Sequence, residues 1–279
     1  MGCPPRRNPR NVVCVGEPGG SIFPEFGLHI NVPDVMEEEL CVADPNSMLI
    51  WWPAIKNLGI PVPRTEIFPI DRDEVLQSLE NETSHINRED WLAIQNGADR
   101  MGYPLFLRTD LSSGKHDWKH TCFVPEPTSS LYEHVLTLCE QHELWTLIGL
   151  DYQAIVLREF LELETAFTAF SGDMPINKEF RFFVRDGAAI CHHFYWPEEA
   201  FNQHPARMAH EPNWKEKLRS LSELTDWEYL LLEDYAKRVG TALPGFWSVD
   251  FAKGTNGTWY LIDMALGKNS YHWPGCVNG

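Results

Sequence analysis

Residues 247–266, WSVDFAKGTNGTWYLIDMAL, set two acids, Asp250 and Asp263, into two runs rich in Trp, Tyr, Phe and Ile. β-Branched and aromatic residues fill both runs, and Gly254-Thr255-Asn256-Gly257 between them carries turn chemistry, so the stretch reads as a β-hairpin. If Gly254 faces Gly257, or Lys253 faces Thr258, the register is the same. Asp250 then lies opposite Leu261, with Asp263 its diagonal neighbour on that face at roughly 7–8 Å. The other face collects Trp247, Val249, Phe251, Tyr260, Ile262 and Met264 and is the core side, leaving the acids among Trp259, Leu261 and Ala265. Polar positions of a half-buried strand often simply face water. Two like charges among apolar neighbours raise each other's pKa unless a cation sits between them, and a divalent ion with oxygen ligands meets that need.

The chain has 279 residues, 43% of them hydrophobic, enough for a large core and one or two domains of an ordinary globular protein. Its formal net charge of −17 excludes a protein that coats nucleic acid, which needs a basic field, but leaves room for a local cationic cluster. The seven cysteines are an odd number without CxxC spacing, which reads as reduced thiols in a cytoplasm and gives no pattern for a structural zinc. No run approaches the ~20 apolar residues of a membrane span. The opening MGCPPRRNPR lacks the apolar core of a leader and the Ser or Thr that acylation at Gly2 wants.

Strands and helices alternate without a βαβ glycine fingerprint, which indicates α+β rather than a doubly wound sheet. Helices are expected over NSMLIWWPAIKNLG, within Asp71 to Asn87, over REDWLAIQNGADRMG closing at Gly102, over SSLYEHVLTLCEQHEL, and over NWKEKLRSLSEL and DWEYLLLEDYAKRVGTAL. YPLFLRTDLSSGKHDW reads as a buried strand running into a Ser/Gly/Lys turn, and QAIVLREFLELE as a largely apolar strand. NKEFRFFVRDGAAICHHFYW reads as a second hairpin turning at Asp186-Gly187; with Arg185 facing Ala188, Arg181 faces His192 and shares a side with Glu179. GEPGG lacks the Lys-Ser/Thr of a phosphate loop and reads as a turn, and MEEEL as a solvated run.

Three cationic clusters precede the two acids. Arg108 with Ser112, Ser113, Lys115 and Lys119 forms a strand and turn able to meet phosphate oxygens, although Ser-Gly-Lys turns are common. Arg158 in an apolar strand needs a partner, either an anion or one of Glu159, Glu162 and Glu164. Arg181 is an anion contact or merely the neighbour of Glu179. His192-His193 makes no metal site, because adjacent strand residues point to opposite faces. Together these groups are the inventory for a nucleoside triphosphate with Mg²⁺.

The order of these segments resembles the ATP-grasp superfamily over roughly residues 46–273. SVDFAKGTNGTWYLIDMA resembles its metal-binding segment, LFLRTDLSSGK its phosphate-covering strand and loop, IVLREFLELE its adenine hinge, EFRFFVRDG its following strands, and GIPVPRTEIF the segment leading into the grasp. The likeness is greatest to a phage and bacterial Arg- and Lys-rich clade thought to form amide bonds, and to the cell-division-cycle chaperones that assemble a translation initiation factor. It implies an α+β ATP-grasp fold, two subdomains clamping the nucleotide, with a reduced N-terminal region: residues 1–62 before the grasp, 63–157 the first subdomain and 158–279 the second.

The implied cofactors are ATP and Mg²⁺. Arg108, Ser113, Lys115, Arg158, Glu159, Phe160, Glu164, Arg181 and Lys268 would contact nucleotide, with Phe160 against the base and Glu164 at the ribose. Asp250, Asp263 and Asn269 would hold the metal, and Arg108, Lys115 and Arg181 would act in catalysis. The family's usual Asn two residues beyond the second acid is Ala265 here. The implied activity is a cytoplasmic, ADP-forming carboxylate–amine ligase on small-molecule or peptide substrates, without nucleic acid or membrane. The alternatives are an ATP-binding assembly chaperone with a protein partner and little turnover, or a structural protein with a degenerate site. His29, Asp34 and the Trp51-Trp52 pair are weighed as substrate-pocket residues against core or turn roles.

Overall fold

Two antiparallel four-stranded sheets face one another across a cleft in the computed structural model, which describes residues 44–81, 86–127, 130–146, 151–170, 173–201 and 211–276. These belong to one unit, Asp44–Gly279. His29, Asp34, GEPGG, MEEEL and most of the expected 1–62 region lie outside the described residues.

The chain enters through α1 (Met48–Ile55), whose N-cap Ser47 accepts the Leu49 amide and whose Trp51 and Trp52 are core rather than pocket wall. The first sheet has the order β1-β4-β2-β3, built from β1 (Thr65–Pro69), β2 (Leu105–Thr109), β3 (Phe123–Val124) and β4 (Ala154–Glu159). Helices α2 (Arg72–Asn81), α3 (Arg88–Met101) and α4 (Ser130–Thr146) accompany it. α3 starts where Asn87 caps the Glu89 amide and stops at Gly102, whose φ of 80° suits glycine. Leu105, Leu107, Ile155 and Leu157 alternate inward to meet Ile94, Ala98, Val135 and Leu138. β4 ends at Glu159, so residues 160–164 form a connection and do not extend the strand as the apolar run suggested.

That connection leads to the ribbon β5 (Thr165–Ala169) and β6 (Met174–Asn177), and then to the second sheet, order β10-β9-β7-β8. Its strands are β7 (Glu179–Arg185), β8 (Ala188–Phe194), β9 (Phe246–Lys253) and β10 (Trp259–Leu266). α5 (Trp214–Leu221) and α6 (Asp226–Ala242) lie between the two hairpins in sequence. α6 opens with a reciprocal capping box between Thr225 and Glu228. Phe180, Phe182, Val184, Trp247, Val249 and Phe251 form one core with α1 and α6 residues, as their alternation requires.

Two bulges correct the expected registers. The first turn spans Gly254 to Thr258, so Lys253 pairs with Trp259 and Phe251 with Leu261. The register then skips Ile262, and Asp263 stands directly opposite Asp250 rather than diagonal to it. Because a one-residue slip reverses every side chain, Trp259, Leu261 and Met264 turn into the core, while Tyr260 and Ile262 do not. In the other hairpin, Asp186 and Gly187 make the expected turn with φ of 48° and 82°. The slip between Phe183 and Val184 passes over Ile190 and sets His193, not His192, opposite Arg181.

Candidate functional site

One row crosses the whole second sheet: His193 on β8, Arg181 on β7, Asp250 on β9 and Asp263 on β10 are successive cross-strand partners. Arg181 holds both oxygens of Asp250, Nε to Oδ1 and Nη2 to Oδ2, each at 2.7 Å. This bidentate bond is the strongest kind available to a carboxylate. Burial disfavours the Arg181 charge, but Asp250 outweighs it and raises the guanidinium pKa. Glu179 lies two residues along the same face of β7. Burial raises its pKa, with Lys115 opposing and Asp250 adding to the effect, and its Oε2 has no hydrogen-bond partner among the described residues.

The first sheet supplies cations from above. β2 delivers Arg108, whose Nη1 donates to Asp263 Oδ1 at 2.8 Å and whose Nε donates to the Thr109 carbonyl at 3.0 Å. Arg158 of β4 is also buried, yet no carboxylate among the described residues pairs with it: it donates to the Ile262 carbonyl, lies over the Trp52 ring, and leaves Nε without a partner. Glu159 points the other way and pairs with Arg64, which removes the structural partner that the sequence offered. Burial, and then the neighbouring Arg108, push the Arg158 pKa down to about 9 against the pull of Asp263. Asp263 is held low despite burial because Arg108 and Arg158 face it. Lys115 follows Gly114, whose φ of 59° turns the Ser/Gly loop. Its Nζ donates to Tyr195 Oη at 3.1 Å and sits over the Tyr195 and Trp196 rings. Burial opposes the Lys115 charge, but Tyr195, Glu179 and Asp250 together raise its pKa.

A pocket opens between the sheets with two unlike ends. Asp250, Asp263, Glu179, Arg108, Arg158 and Lys115 line the charged end, while Phe106, Trp118, Phe160, Leu161, Leu163 and Met174 line the other. Phe160 packs at 5.0 Å from Phe123, and Trp118 stacks parallel to Phe123 at 5.8 Å, making an aromatic wall suited to a flat ring.

Of the expected residues, Arg108, Ser113, Lys115, Arg158, Glu159, Phe160, Asp250 and Asp263 line this pocket. Arg181 stands behind it, through Asp250. Glu164 lies outside the lining, 3.5 Å from Lys253 Nζ. Lys268 and Asn269 are exposed on the short 3₁₀ turn after β10, also outside the lining, and Ala265 pairs with Ser248. Lys119 is paired with Asp173. Asn177, Glu179, Tyr195 and Trp118 join the lining without having been counted as site residues. The alternation of Asn177, Glu179 and Arg181 carried part of that signal; Tyr195 was hidden by the bulge at Ile190.

The residues present fit a magnesium nucleotide. Two carboxylates directly opposite one another form a hard oxygen donor pair, which suits Mg²⁺. Beside them, Arg158 Nε and Glu179 Oε2 are buried polar atoms left over on residues of the pocket wall. Arg108, Lys115, Arg158 and Arg181 outnumber Asp250, Asp263 and Glu179, so the charged end favours a bound anion.

The sequence model of an ATP-grasp domain, family 3 of the Arg- and Lys-rich clade, matches residues 95–275. Among solved structures, Cdc123 from Schizosaccharomyces pombe is similar at 16% identity and a TM-score of 0.50, covering 80% of this chain and 83% of that one. Its C-terminally truncated form gives 16% identity and 0.51, with 79% and 83% covered. The D-alanine–D-alanine ligase from Bacillus anthracis complexed with ATP aligns at 10% identity and 0.41, over 79% of this chain and 54% of that one. No curated protein matches the sequence. Among the described residues, no helix is long and apolar enough to cross a membrane.

Proposed function

Since the chain belongs to family 3 of the Arg- and Lys-rich clade of ATP-grasp domains, we propose that it binds ATP between its two sheets and uses it to join a carboxylate to an amine, releasing ADP. The observation that carries this reading is the pocket's polarity: an aromatic slot at one end, and at the other under-paired cations facing two directly opposed acids. In this reading the purine enters the slot beside Trp118 and Phe160, and Arg108, Arg158 and Lys115 receive the phosphates. Lys115 keeps its proton at neutral pH, since its neighbours raise its pKa.

Asp250 and Asp263 would hold Mg²⁺, which supplies charge neutralisation at the phosphoryl oxygens when bound. Arg181 fixes the Asp250 carboxylate in place. The positive charge at the transferred phosphoryl group lowers the barrier to attack by the substrate carboxylate. The acyl phosphate so formed loses phosphate to the amine, giving an amide.

A second reading, an ATP-binding protein with little turnover, draws on Ala265, which offers no amide oxygen two residues beyond Asp263, and on the exposure of Asn269. ADP release from Mg-ATP, with and without pooled amino acids and short peptides, separates the two. Acceptor-dependent turnover that Asp250→Asn abolishes supports the ligase. ATP-induced stabilisation without turnover against every pool supports the second reading, and Asp250→Asn turnover at the wild-type rate would overturn the metal assignment.

A further inference from the structure

The alternation that gives β8 its cleft-facing side also places two soft ligands together. Cys191 and His193 are two residues apart on the strand and so share a face. His192 between them turns away and stacks on Phe182 at 5.0 Å. After β10 the chain runs back past this strand. His272 Nε2 lies 3.2 Å from Cys191 Sγ, and the Pro274-Gly275 turn, with Gly275 at φ 83°, brings Cys276 round so that its amide donates to the Trp273 carbonyl at 3.2 Å. The donor atoms of Cys191, His193, His272 and Cys276 all lie within 4.8 Å of one another.

Hydrogen bonding does not account for this cluster. His193 Nε2 and His272 Nδ1 are buried and have no partner among the described residues. The rings are nevertheless fixed in place: His272 packs on Phe183 at 4.2 Å, and His193 lies parallel to Trp273, whose Nε1 donates to the Phe194 carbonyl at 2.9 Å. Orphaned imidazole nitrogens beside two thiols, in pre-set rings, are what a metal site leaves visible in its side chains. Two sulfurs and two nitrogens from four protein residues match a closed tetrahedral zinc site, whose ligand atoms stand roughly 3.3–3.8 Å apart at the usual zinc bond lengths. Modest side-chain adjustment from the present spread reaches that.

We propose that Cys191, His193, His272 and Cys276 form a structural zinc site that staples the segment after β10 to the edge strand β8. The two pairs, C-x-H and H-x-x-x-C, lie far apart in sequence, so neither has the paired spacing by which zinc motifs are recognised. The staple also reaches the cleft. His193 is the cross-strand partner of Arg181, and the Tyr271 carbonyl, next to His272, accepts from Arg181 Nη1 at 3.5 Å. Fixing the segment therefore helps to fix the guanidinium that grips Asp250. This site is independent of the nucleotide reading.

The test begins with the metal content of the full chain, purified under reducing conditions without chelator, and with titration of the chelator-stripped chain by Co²⁺ alone. One zinc per chain is expected, together with a thiolate-to-cobalt charge-transfer band and the intense visible bands of tetrahedral cobalt. Cys191→Ser and His272→Asn should lose both signatures, whereas His192→Asn keeps them. Stripping should lower the thermal midpoint of the wild type and leave that of Cys191→Ser unmoved. A reduced wild-type chain that retains no zinc and gives no thiolate–cobalt band would overturn the proposal without reliance on any variant. So would a Cys191–Cys276 disulfide that forms in preference to metal binding in the untreated protein.

Discussion

Replacing Arg158 by Met should weaken nucleotide binding while leaving the unliganded protein as stable or more so. The residue is 3% exposed and, among the described residues, its only close polar oxygen is the Ile262 carbonyl. A guanidinium brought from 12.5 to about 9 is disfavoured by about 5 kcal/mol at neutral pH, at 1.36 kcal/mol per pKa unit. Met keeps the aliphatic stem against Trp52 but loses the cation–π contact, about 2 kcal/mol when desolvated, and the charged bond to the Ile262 carbonyl, about 1.5–3 kcal/mol. The balance is a change between neutral and about 2 kcal/mol of stabilisation. Binding moves the other way, because a lost charged phosphate contact of about 1.5–3 kcal/mol raises Kd roughly 10- to 150-fold. Urea unfolding of both proteins reads the first quantity, and titration calorimetry with Mg-ATP reads the second. Loss of about 2 kcal/mol or more of stability with unchanged ATP affinity would refute the reasoning and make Arg158 a structural cation.

The Arg181–Asp250 pair should behave oppositely: Asp250→Asn strands a buried guanidinium and costs about 3 kcal/mol, while the Arg181→Met/Asp250→Asn double variant loses clearly less than the sum of the singles in a denaturation cycle. Trp118→Ala and Phe160→Ala should each weaken ATP binding severalfold while leaving inorganic triphosphate binding nearly unchanged, a difference that competition measurements resolve. Glu228 is held down to about 2 from 4.5, burial being outweighed by Lys253, the Thr225 amide and Lys178. Its folded pKa is below its unfolded one, so its stabilisation, roughly 2–3 kcal/mol, is present above about pH 4.5 and lost as pH falls towards 2. Glu228→Gln should flatten that part of the stability–pH curve.

Face alternation made much of this arrangement readable. Phe180, Phe182, Val249 and Phe251 announced the core side of their strands, and Glu179, Arg181 and Asp250 the other, because a period of two follows from strand geometry alone. The order of Arg108, Lys115, Arg158, Arg181, Asp250 and Asp263 also pointed to one cleft. What the alternation did not carry was register. The bulges at Ile262 and Ile190 use ordinary isoleucines, with no glycine to mark them, yet they decide that Asp263 meets Asp250 and that Tyr195 rather than a histidine reaches Lys115. Nor was Arg158's isolation legible, since Glu159 is its neighbour in sequence but on the opposite face. The Cys/His cluster joins positions about eighty residues apart, a distance over which spacing rules are silent.

Ile262, the residue that the β10 register skips, gives its carbonyl to Arg158 of the other sheet. The chain's length at this point is thereby constrained separately from its composition. Removing one residue between Trp259 and Asp263 would mend the ladder but rotate one flank by half a pleat, sending either Asp263 into the hydrophobic interior or Leu261 out of it. Substitutions at Ile262 that preserve the count change only the pocket wall. Related sequences should therefore vary in the identity of this residue while conserving the number of residues between the second acid and the tryptophan before it.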